Sequence, residues 1–172
     1  IIGAAIFPLV FKWTGNKGWA ASVFSVLMGV SMVVLYFFSP NEEPLWFYIF
    51  AALAQFFFSG FNTAIYAIIP DCVEYGEWKT GIRNDGFQYS FISLANKIGM
   101  ALGTSLLALV MGWAGYEANV EQSETVKEVI HHAFSTVPGI LWIITAGIML
   151  FYRLSRKEYN QIINELEKRN KQ

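Results

Sequence analysis

The sequence predicts an all-α integral membrane protein, and three observations carry this prediction. The 172 residues are 55% hydrophobic and only 15% charged, whereas soluble domains carry about 25% charged residues. The mean hydropathy is +0.41. The uncharged residues fall into blocks of about 20, which is the length that a helix needs to cross a bilayer. Because lipid cannot satisfy backbone hydrogen bonds, these blocks are expected to be helices.

Three other classes of protein are excluded by the same composition. The chain is too apolar for a disordered protein, it has one cysteine (Cys72) and so no disulfide framework, and its net charge of −1 does not suit a nucleic-acid binder. The sequence opens in an apolar run without an initiating Met. We therefore expect a fragment that begins inside a helix of a longer protein.

Hydropathy divides residues 1–152 into one partial and four full spans, which are predicted at 1–11, 20–39, 45–69, 87–113 and 133–152. Residues 153–172 are expected to form a polar tail. Within the tail, 157–171 carries apolar residues at helical spacing, which predicts a short amphipathic helix at the inner membrane surface. A solvated extension is the alternative. The segment 120–132 is interpreted as a similar surface helix on the outer side.

The basic residues of the connecting segments predict the orientation. Lys12, Lys17, Lys79 and Arg83 fall on the same side as the six basic residues of the tail, and only Lys127 falls on the other. By the positive-inside rule, the C-terminal tail is cytoplasmic. On the outer side, neighbouring histidines at 131 and 132 would point about 100° apart on a helix, so no metal site is predicted there.

Lys97 is the one charge inside the predicted spans. An ammonium at the centre of a bilayer costs about 3 kcal/mol, so such residues usually face a water-filled cavity or a protein interior and mark a binding site. Each membrane boundary is on the order of 15 Å away, which is too far for a lysine side chain to reach. The alternative is a lysine that pairs with a carboxylate only to hold helices together.

Polar side chains recur on one face of two predicted helices. On the helix of Lys97 they are Ser90, Ser93, Lys97 and Thr104; on the preceding helix they are Gln55, Ser59, Asn62 and Tyr66. Each set falls within about 60° of the helix circumference. Two such stripes with a central lysine predict a cavity for a hydroxyl-rich solute. Simple interhelical hydrogen bonds are the alternative.

The predicted connection 70–88, between these two helices, is rich in charges of both signs. Ion pairs at such a place can close a gate in one state and break in another, because alternating access needs contacts that differ between states. Solvation of the loop is the alternative, and the sequence does not show which pairs form. The candidate gate residues are Asp71, Glu74, Tyr75, Glu77, Lys79 and Arg83.

These residues carry a resemblance to a known family. The run from Asp71 to Arg83, then Gly86, Tyr89, Ser90 and Lys97, and then the run 112–116, resembles the glycoside-pentoside-hexuronide:cation symporters. This is the melibiose-permease group of the major facilitator superfamily. The resemblance implies a twelve-helix transporter, of which this chain is the C-terminal part, about helices 8 to 12. It also implies a sugar bound at mid-membrane and uptake driven by sodium or protons.

Individual residues carry over from that resemblance. Lys97 matches a lysine of the eleventh helix that lines the sugar cavity, and Ser93 matches a hydroxyl position beside it. Asn62 stands where the group has a tryptophan that stacks on the sugar, which favours a glycoside, pentoside or glucuronide other than melibiose. The carboxylates that bind the coupling Na⁺ or H⁺ belong to the N-terminal half, so no residue here is named as a cation ligand and no cofactor is expected.

The resemblance also implies the partners and the location. They are a sugar or glycoside, the lipid bilayer and the N-terminal half of the same transporter, with no nucleic acid, in a bacterial inner membrane. Binding is assigned to Lys97, Ser93, Asn62, Gln55 and Tyr66. A lysophospholipid-type transporter of the same superfamily, an integral membrane enzyme and a structural subunit are the alternatives. An enzyme would need reactive groups clustered at one membrane face, which the sequence does not show.

Overall fold

The computed structural model describes residues 2–38 and 43–169, and its secondary structure over these ranges is entirely helical. The prediction of an all-α fold is therefore confirmed. Ile1 of the first predicted span, Ser39 at the end of the second and residues 170–172 of the tail lie outside the described residues. The helices are α1 (Ile2–Thr14), α2 (Lys17–Leu35), α3 (Pro44–Thr80), α4 (Asp85–Ala114), α5 (Glu124–Phe134), α6 (Thr136–Met149) and α7 (Arg156–Arg169).

Four segments are long and apolar enough to cross a membrane. They are α2, α3, α4 and the combined stretch of α5 and α6. Successive segments run in opposite directions, so the end of α1, the start of α2, the ends of α3 and α6 and the start of α4 come to the same side. The division into membrane helices (1–152) and tail (153–172) stays a prediction, although the non-helical link between α6 and α7 lies at that boundary.

α2 is the centre of the bundle, because it packs against both α3 and α6, while α1 packs on α3. The α2–α6 contact is close because small residues line it. Ser22 and Ser25 of α2 donate hydrogen bonds to the carbonyls of Ala146 (2.9 Å) and Trp142 (2.7 Å) of α6. Gly29 lies so near Gly139 that a methyl group there would come within 2.7 Å of the Gly139 carbonyl oxygen. Small residues thus set the distance between these helices.

α3 is longer than the predicted span 45–69, and most of the predicted connection 70–88 is helical. The helix continues through Pro70 to Thr80 and ends at Gly81, whose φ of +74° gives a left-handed cap with its N–H bonded to the Glu77 carbonyl. Only residues 81–84 are non-helical before α4 begins. The charged residues after Pro70 therefore lie on a helix that extends beyond the apolar span.

The predicted span 133–152 corresponds to the candidate membrane span Glu124–Met149, which begins earlier than predicted and contains a helix break at Ser135. Ser135 has φ −120° and ψ −72°, and it separates α5 from α6. Pro138 explains the break, because in a continuous helix its ring would clash with the Phe134 carbonyl and it has no N–H to donate. The predicted outer surface helix 120–132 is observed as α5, with Ser123 as its N-cap.

The tail forms a helix, as predicted, but α7 docks on the bundle. Ile162 and Leu166 are buried, the Trp78 indole donates to Glu165 at 2.6 Å, and the Arg156 N–H donates to the Gly15 carbonyl. The alternative of a solvated extension is therefore wrong for residues 156–169. We call this region the tail end; it comprises α7, the link between α6 and α7, the end of α1 with the start of α2 (11–17), and the end of α3 with the link to α4 (70–84).

An ion pair lies inside the tail end. Asn16 is the N-cap of α2, and Lys17 is the first residue of that helix. The Lys17 ammonium lies 2.7 Å from an Asp71 oxygen and 2.9 Å from the Ala67 carbonyl oxygen of α3. The Asp71 side chain is only 4% exposed. Its second oxygen accepts a hydrogen bond from the Tyr152 hydroxyl. Burial and the Asp71 charge raise the pKa of Tyr152, so this hydroxyl keeps the proton that it donates.

α4 is the least embedded helix. None of its residues is buried, and its main contacts are with α5 and, at the tail end, with α3. The contact with α3 includes the Gln88 amide, which donates to the Cys72 carbonyl at 3.1 Å. The described structure therefore consists of a packed group of α1, α2, α3 and α6, with α4 and α5 beside it.

We expect Gly29→Ala to lower the stability of the full-length protein by about 1–3 kcal/mol, because the added methyl group forces α2 and α6 apart. The measurement is the midpoint of thermal unfolding in detergent. Gly147→Ala is the matched control, since a methyl group at Gly147 meets nothing within 4 Å. An equal midpoint for both variants would contradict the close α2–α6 contact.

We expect Asp71→Asn to destabilise the protein by about 3 kcal/mol, because it leaves the Lys17 ammonium without a carboxylate. The double variant Lys17→Met/Asp71→Leu should recover part of that loss, since it removes both charges. Thermal unfolding of the two variants in detergent tests this. A double variant that is no more stable than Asp71→Asn would mean that the ion pair does not hold the tail end together.

Candidate functional site

The polar stripe of α3 lines an open groove, as its spacing predicts. Gln55, Ser59, Asn62 and Tyr66 lie together there, and Phe58 and Thr63 complete the walls of a space of about 640 Å³. The Thr63 hydroxyl donates a hydrogen bond to the Ser59 carbonyl oxygen at 2.9 Å. The groove therefore offers amide and phenol groups, which both donate and accept hydrogen bonds.

The stripe of α4 lines a second groove. Ser90, Ser93 and Lys97 lie in it with Tyr89 and Leu94, around a space of about 450 Å³. Thr104 does not take part, because its hydroxyl donates to the carbonyl of Met100, one turn earlier. Within the described ranges, the Lys97 ammonium has neither an ion pair nor a hydrogen bond. Lys97 is thus a cation that the described part of the chain does not neutralise.

The structure does not bring the two stripes into one cavity. Asn62 and Lys97 line separate grooves, and α3 and α4 meet mainly at the tail end. The five predicted binding residues therefore occupy two walls. A closed binding site would need further protein to cover both.

Arg83 makes the ion pairs of the connection between α3 and α4. Its guanidinium lies 2.9 Å from a Glu77 oxygen and 3.0 Å from an Asp85 oxygen. These hydrogen bonds raise the pKa of Arg83 above its usual value. The side chain is 54% exposed, and exposed pairs of this kind contribute little to stability. Arg83 can therefore exchange partners at small cost.

The other predicted gate residues divide into buried and exposed members. Asp71 is buried against Lys17. Glu74 lies near Tyr159 of α7, and burial together with this carboxylate raises the pKa of Tyr159. Tyr75 and Lys79 are exposed, and the Lys79 ammonium lies 5.9 Å from the centre of the Tyr75 ring. The structure places these residues on about three turns of α3, but it does not bring them into one network.

Sequence reasoning missed the partners that come from distant parts of the chain. Lys17, Tyr152, Trp78 and Glu165 all contribute to the tail end, and a cavity of about 550 Å³ lies between α3 and α7 there. The available signal was Lys17 itself, a lysine at the first turn of a membrane helix. Its carboxylate partner is 54 residues away, so spacing alone does not identify it.

Comparison with known proteins identifies the family. A family model described as "MFS/sugar transport protein" matches residues 1–156. A protein of Escherichia coli (strain K12) with the provisional name of sulfoquinovose importer is 34% identical over 171 residues, which are 98% of this chain and 36% of that protein. The glucuronide carrier protein homolog of the same organism is 37% identical over 109 residues, 63% of this chain and 24% of its own length.

An isoprimeverose transporter of Lactiplantibacillus pentosus is 33% identical over 115 residues, 66% of this chain and 24% of the transporter. The chain thus spans about a third of the length of the first relatives, at 36%. No solved structure gives a significant match. Since the family model covers nearly the whole chain, the chain belongs to the MFS/sugar transport protein family, and the resemblance to glycoside-pentoside-hexuronide symporters is confirmed.

Proposed function

We propose that this chain forms part of a cation-coupled symporter for a sugar or glycoside. The observation that carries the proposal is Lys97, a cation without a partner in the described chain, in the middle of a polar stripe on a membrane helix. The relatives support it, because their names include a sulfoquinovose importer, a glucuronide carrier homolog and an isoprimeverose transporter. Members of this family are transporters, so the chain is not an enzyme.

In the proposed mechanism, the two grooves are two walls of one sugar site. Lys97 and Ser93 of α4 and Asn62, Gln55 and Tyr66 of α3 donate and accept hydrogen bonds with sugar hydroxyls. The N-terminal half of the transporter covers both walls. Rocking of one half against the other then exposes the site to each side of the membrane in turn.

Coupling to sodium or protons is assigned to carboxylates outside this chain. The chain's own carboxylates all lie in connecting segments, near the ends of the membrane spans or in the tail, so none is at the depth of Lys97. The bacterial sources of the relatives support an inner-membrane location. The clustering of basic residues at the tail end supports a cytoplasmic C-terminus.

We assign the gate to the tail end, at the cytoplasmic mouth of the site. The observed pairs of Asp71 and Arg83 join parts of this chain to one another, and a pair inside one half does not change when the halves rock. Asp71 and Glu74 are held in the bundle, so their part is to fix the end of α3. The groups left to contact the opposite half are Tyr75, Lys79 and Arg83, together with Glu77 when Arg83 releases it.

Lys97→Ala in the full-length protein should abolish sugar uptake, because the substrate loses the charged donor in the middle of its site. Membrane insertion should not change, since Lys97 holds no other described element in place. Uptake of labelled sugar by whole cells measures the effect, and an immunoblot of the membrane fraction measures insertion. Normal uptake by this variant would refute the proposed site.

Arg83→Glu should reduce the turnover rate by tenfold or more, on the order of one charge-assisted hydrogen bond, while sugar binding changes little. The reason is that the variant removes a cation assigned to contact the opposite half and places a negative charge beside Glu77 and Asp85. Transport rate and equilibrium binding of labelled sugar separate the two effects. Lys127→Glu reverses a charge in the exposed pair with Glu124 on α5 and is the control. Equal losses of binding and turnover, or a loss of insertion, would contradict the gate assignment.

A further inference from the structure

The gate residues of α3 lie on helical turns that protrude beyond the membrane span. The uncharged run of α3 ends at Pro70, and the helix continues to its cap at Gly81. We call this segment the protruding turns (residues 71–80). A helix of about ten residues is marginal in water, and Gly76 weakens it further. Contacts with other parts of the chain are therefore needed to hold it.

α7 runs beside the protruding turns, and the two helices point the same way. Three contacts follow one another along both helices: Glu74 with Tyr159, Trp78 with Glu165, and Gly81 with Arg169. The three positions on α3 are four and three residues apart, which places them on one face of that helix. α3 is also the main helix on which α7 packs. α7 thus supports one side of the protruding turns.

The N-terminal end of α7 is anchored elsewhere in the bundle. Ser155 and Glu158 form a capping box, in which the Ser155 N–H donates to the Glu158 carboxylate at 2.8 Å and the Glu158 N–H donates to the Ser155 hydroxyl at 3.3 Å. The N–H of the first α7 residue donates to the Gly15 carbonyl at 3.3 Å. The Lys17 ammonium lies 5.3 Å from the centre of the Tyr159 ring. α7 is therefore tied to the ends of α1 and α2, and it can act as a fixed support for α3.

The hydrogen bond between Trp78 and Glu165 fixes the rotation of the protruding turns about their axis. The indole N–H donates to a carboxylate at 2.6 Å, so the bond is charge-assisted and stronger than a neutral one. Trp78 lies between Glu77 and Lys79, both of which are assigned to the gate. Since a helix has 3.6 residues per turn, it cannot rotate at Trp78 without turning both neighbours by the same angle. The bond thereby sets the directions in which Glu77 and Lys79 point.

We propose that Trp78 and Glu165 are positioning residues of the gate, whose hydrogen bond holds the protruding turns in the orientation that meets the opposite half. This inference rests on the proposed function and identifies what sets the geometry of its gate. Trp78 lies far from the sugar groove, because Asn62 is 16 residues before it and so about 24 Å away along α3. Loss of the bond should therefore slow the conformational change of transport and leave sugar binding unchanged.

The test measures turnover and sugar binding in variants of the full-length protein in proteoliposomes. Trp78→Phe keeps an aromatic ring and removes the N–H, Glu165→Leu removes the acceptor, and Glu165→Gln keeps an acceptor oxygen. The sugars supplied are sulfoquinovose, isoprimeverose and nitrophenyl glucuronide, which are chosen from the names of the relatives. Initial transport rates are divided by the amount of folded protein, and equilibrium binding of the transported sugar gives its Kd.

Trp78→Phe and Glu165→Leu should each lower the turnover rate by about three- to tenfold and leave Kd within about twofold, which is the effect of one partly exposed hydrogen bond. The double variant should be no slower than the slower single variant, because both changes remove the same bond. Glu165→Gln should keep most of the rate. Amide hydrogen exchange within 71–80 should be faster in the two slow variants, because the protruding turns lose a support.

Two exposed residues on the same side of the molecule provide matched controls. Trp13→Phe changes a tryptophan of α1 that is 94% exposed, and Glu167→Leu changes a carboxylate of α7 two residues after Glu165. Both variants should transport and exchange like the wild type. Glu165 is itself exposed, so Glu165→Leu should fold even if Trp78→Phe does not, and it then decides the test alone.

The outcomes separate this proposal from sugar transport itself. If the wild type transports one of the sugars and Glu165→Leu turns over at the same rate, sugar transport stands and the positioning role is wrong. Parallel losses of binding and turnover, additive losses in the double variant, or failure of Glu165→Leu to reach the membrane would also overturn the positioning role. A wild-type protein that transports none of the three sugars would refute the proposed function and this proposal with it.

Discussion

A charge removed from water must be neutralised by a partner, and this constraint applies to the two lysines of the membrane helices, Lys17 and Lys97. At the tail end the requirement is met inside the chain, where Lys17 and Asp71 form a pair that Tyr152 completes. At mid-membrane it is not met by the described chain, since Lys97 has only hydroxyls beside it. The first arrangement stabilises the bundle, and the second leaves Lys97 without a counter-ion among the described residues.

The ion pair of Lys17 and Asp71 helps to explain how α7 is held against the bundle. Because Lys17 and Asp71 fix the ends of α2 and α3 together, the last turns of α3 form a stable platform beyond the apolar span. α7 docks on this platform through Trp78 and Glu165 and through its two buried aliphatic residues. The exposed ion pairs of Arg83 lie just beyond it. This side of the molecule therefore combines a buried ion pair with exposed ion pairs.

Much of the fold was predictable, because hydropathy and spacing are local. The spans follow from uncharged runs, and Gly81 and Gly115 end α3 and α4 in left-handed conformations. The break at Ser135 was overlooked, although Pro138 is visible in the sequence. The two polar stripes followed from helical periodicity. Their separation into two grooves could not be predicted, because it depends on how α4 packs. The Lys17–Asp71 pair could not be predicted either, because 54 residues separate its members.

The helix break at Ser135 has a mechanical consequence for the helix of Lys97. α4 packs mainly on α5. α5 is connected to α6 through the single non-helical residue Ser135 and also packs against α6, and the other end of α4 is attached by the short segment 81–84. α4 is thus connected to the packed group by a short segment at one end and through α5 at the other. Since none of the residues of α4 is buried, a shift of α4 relative to the packed group would expose little additional apolar surface and would carry Lys97 with it.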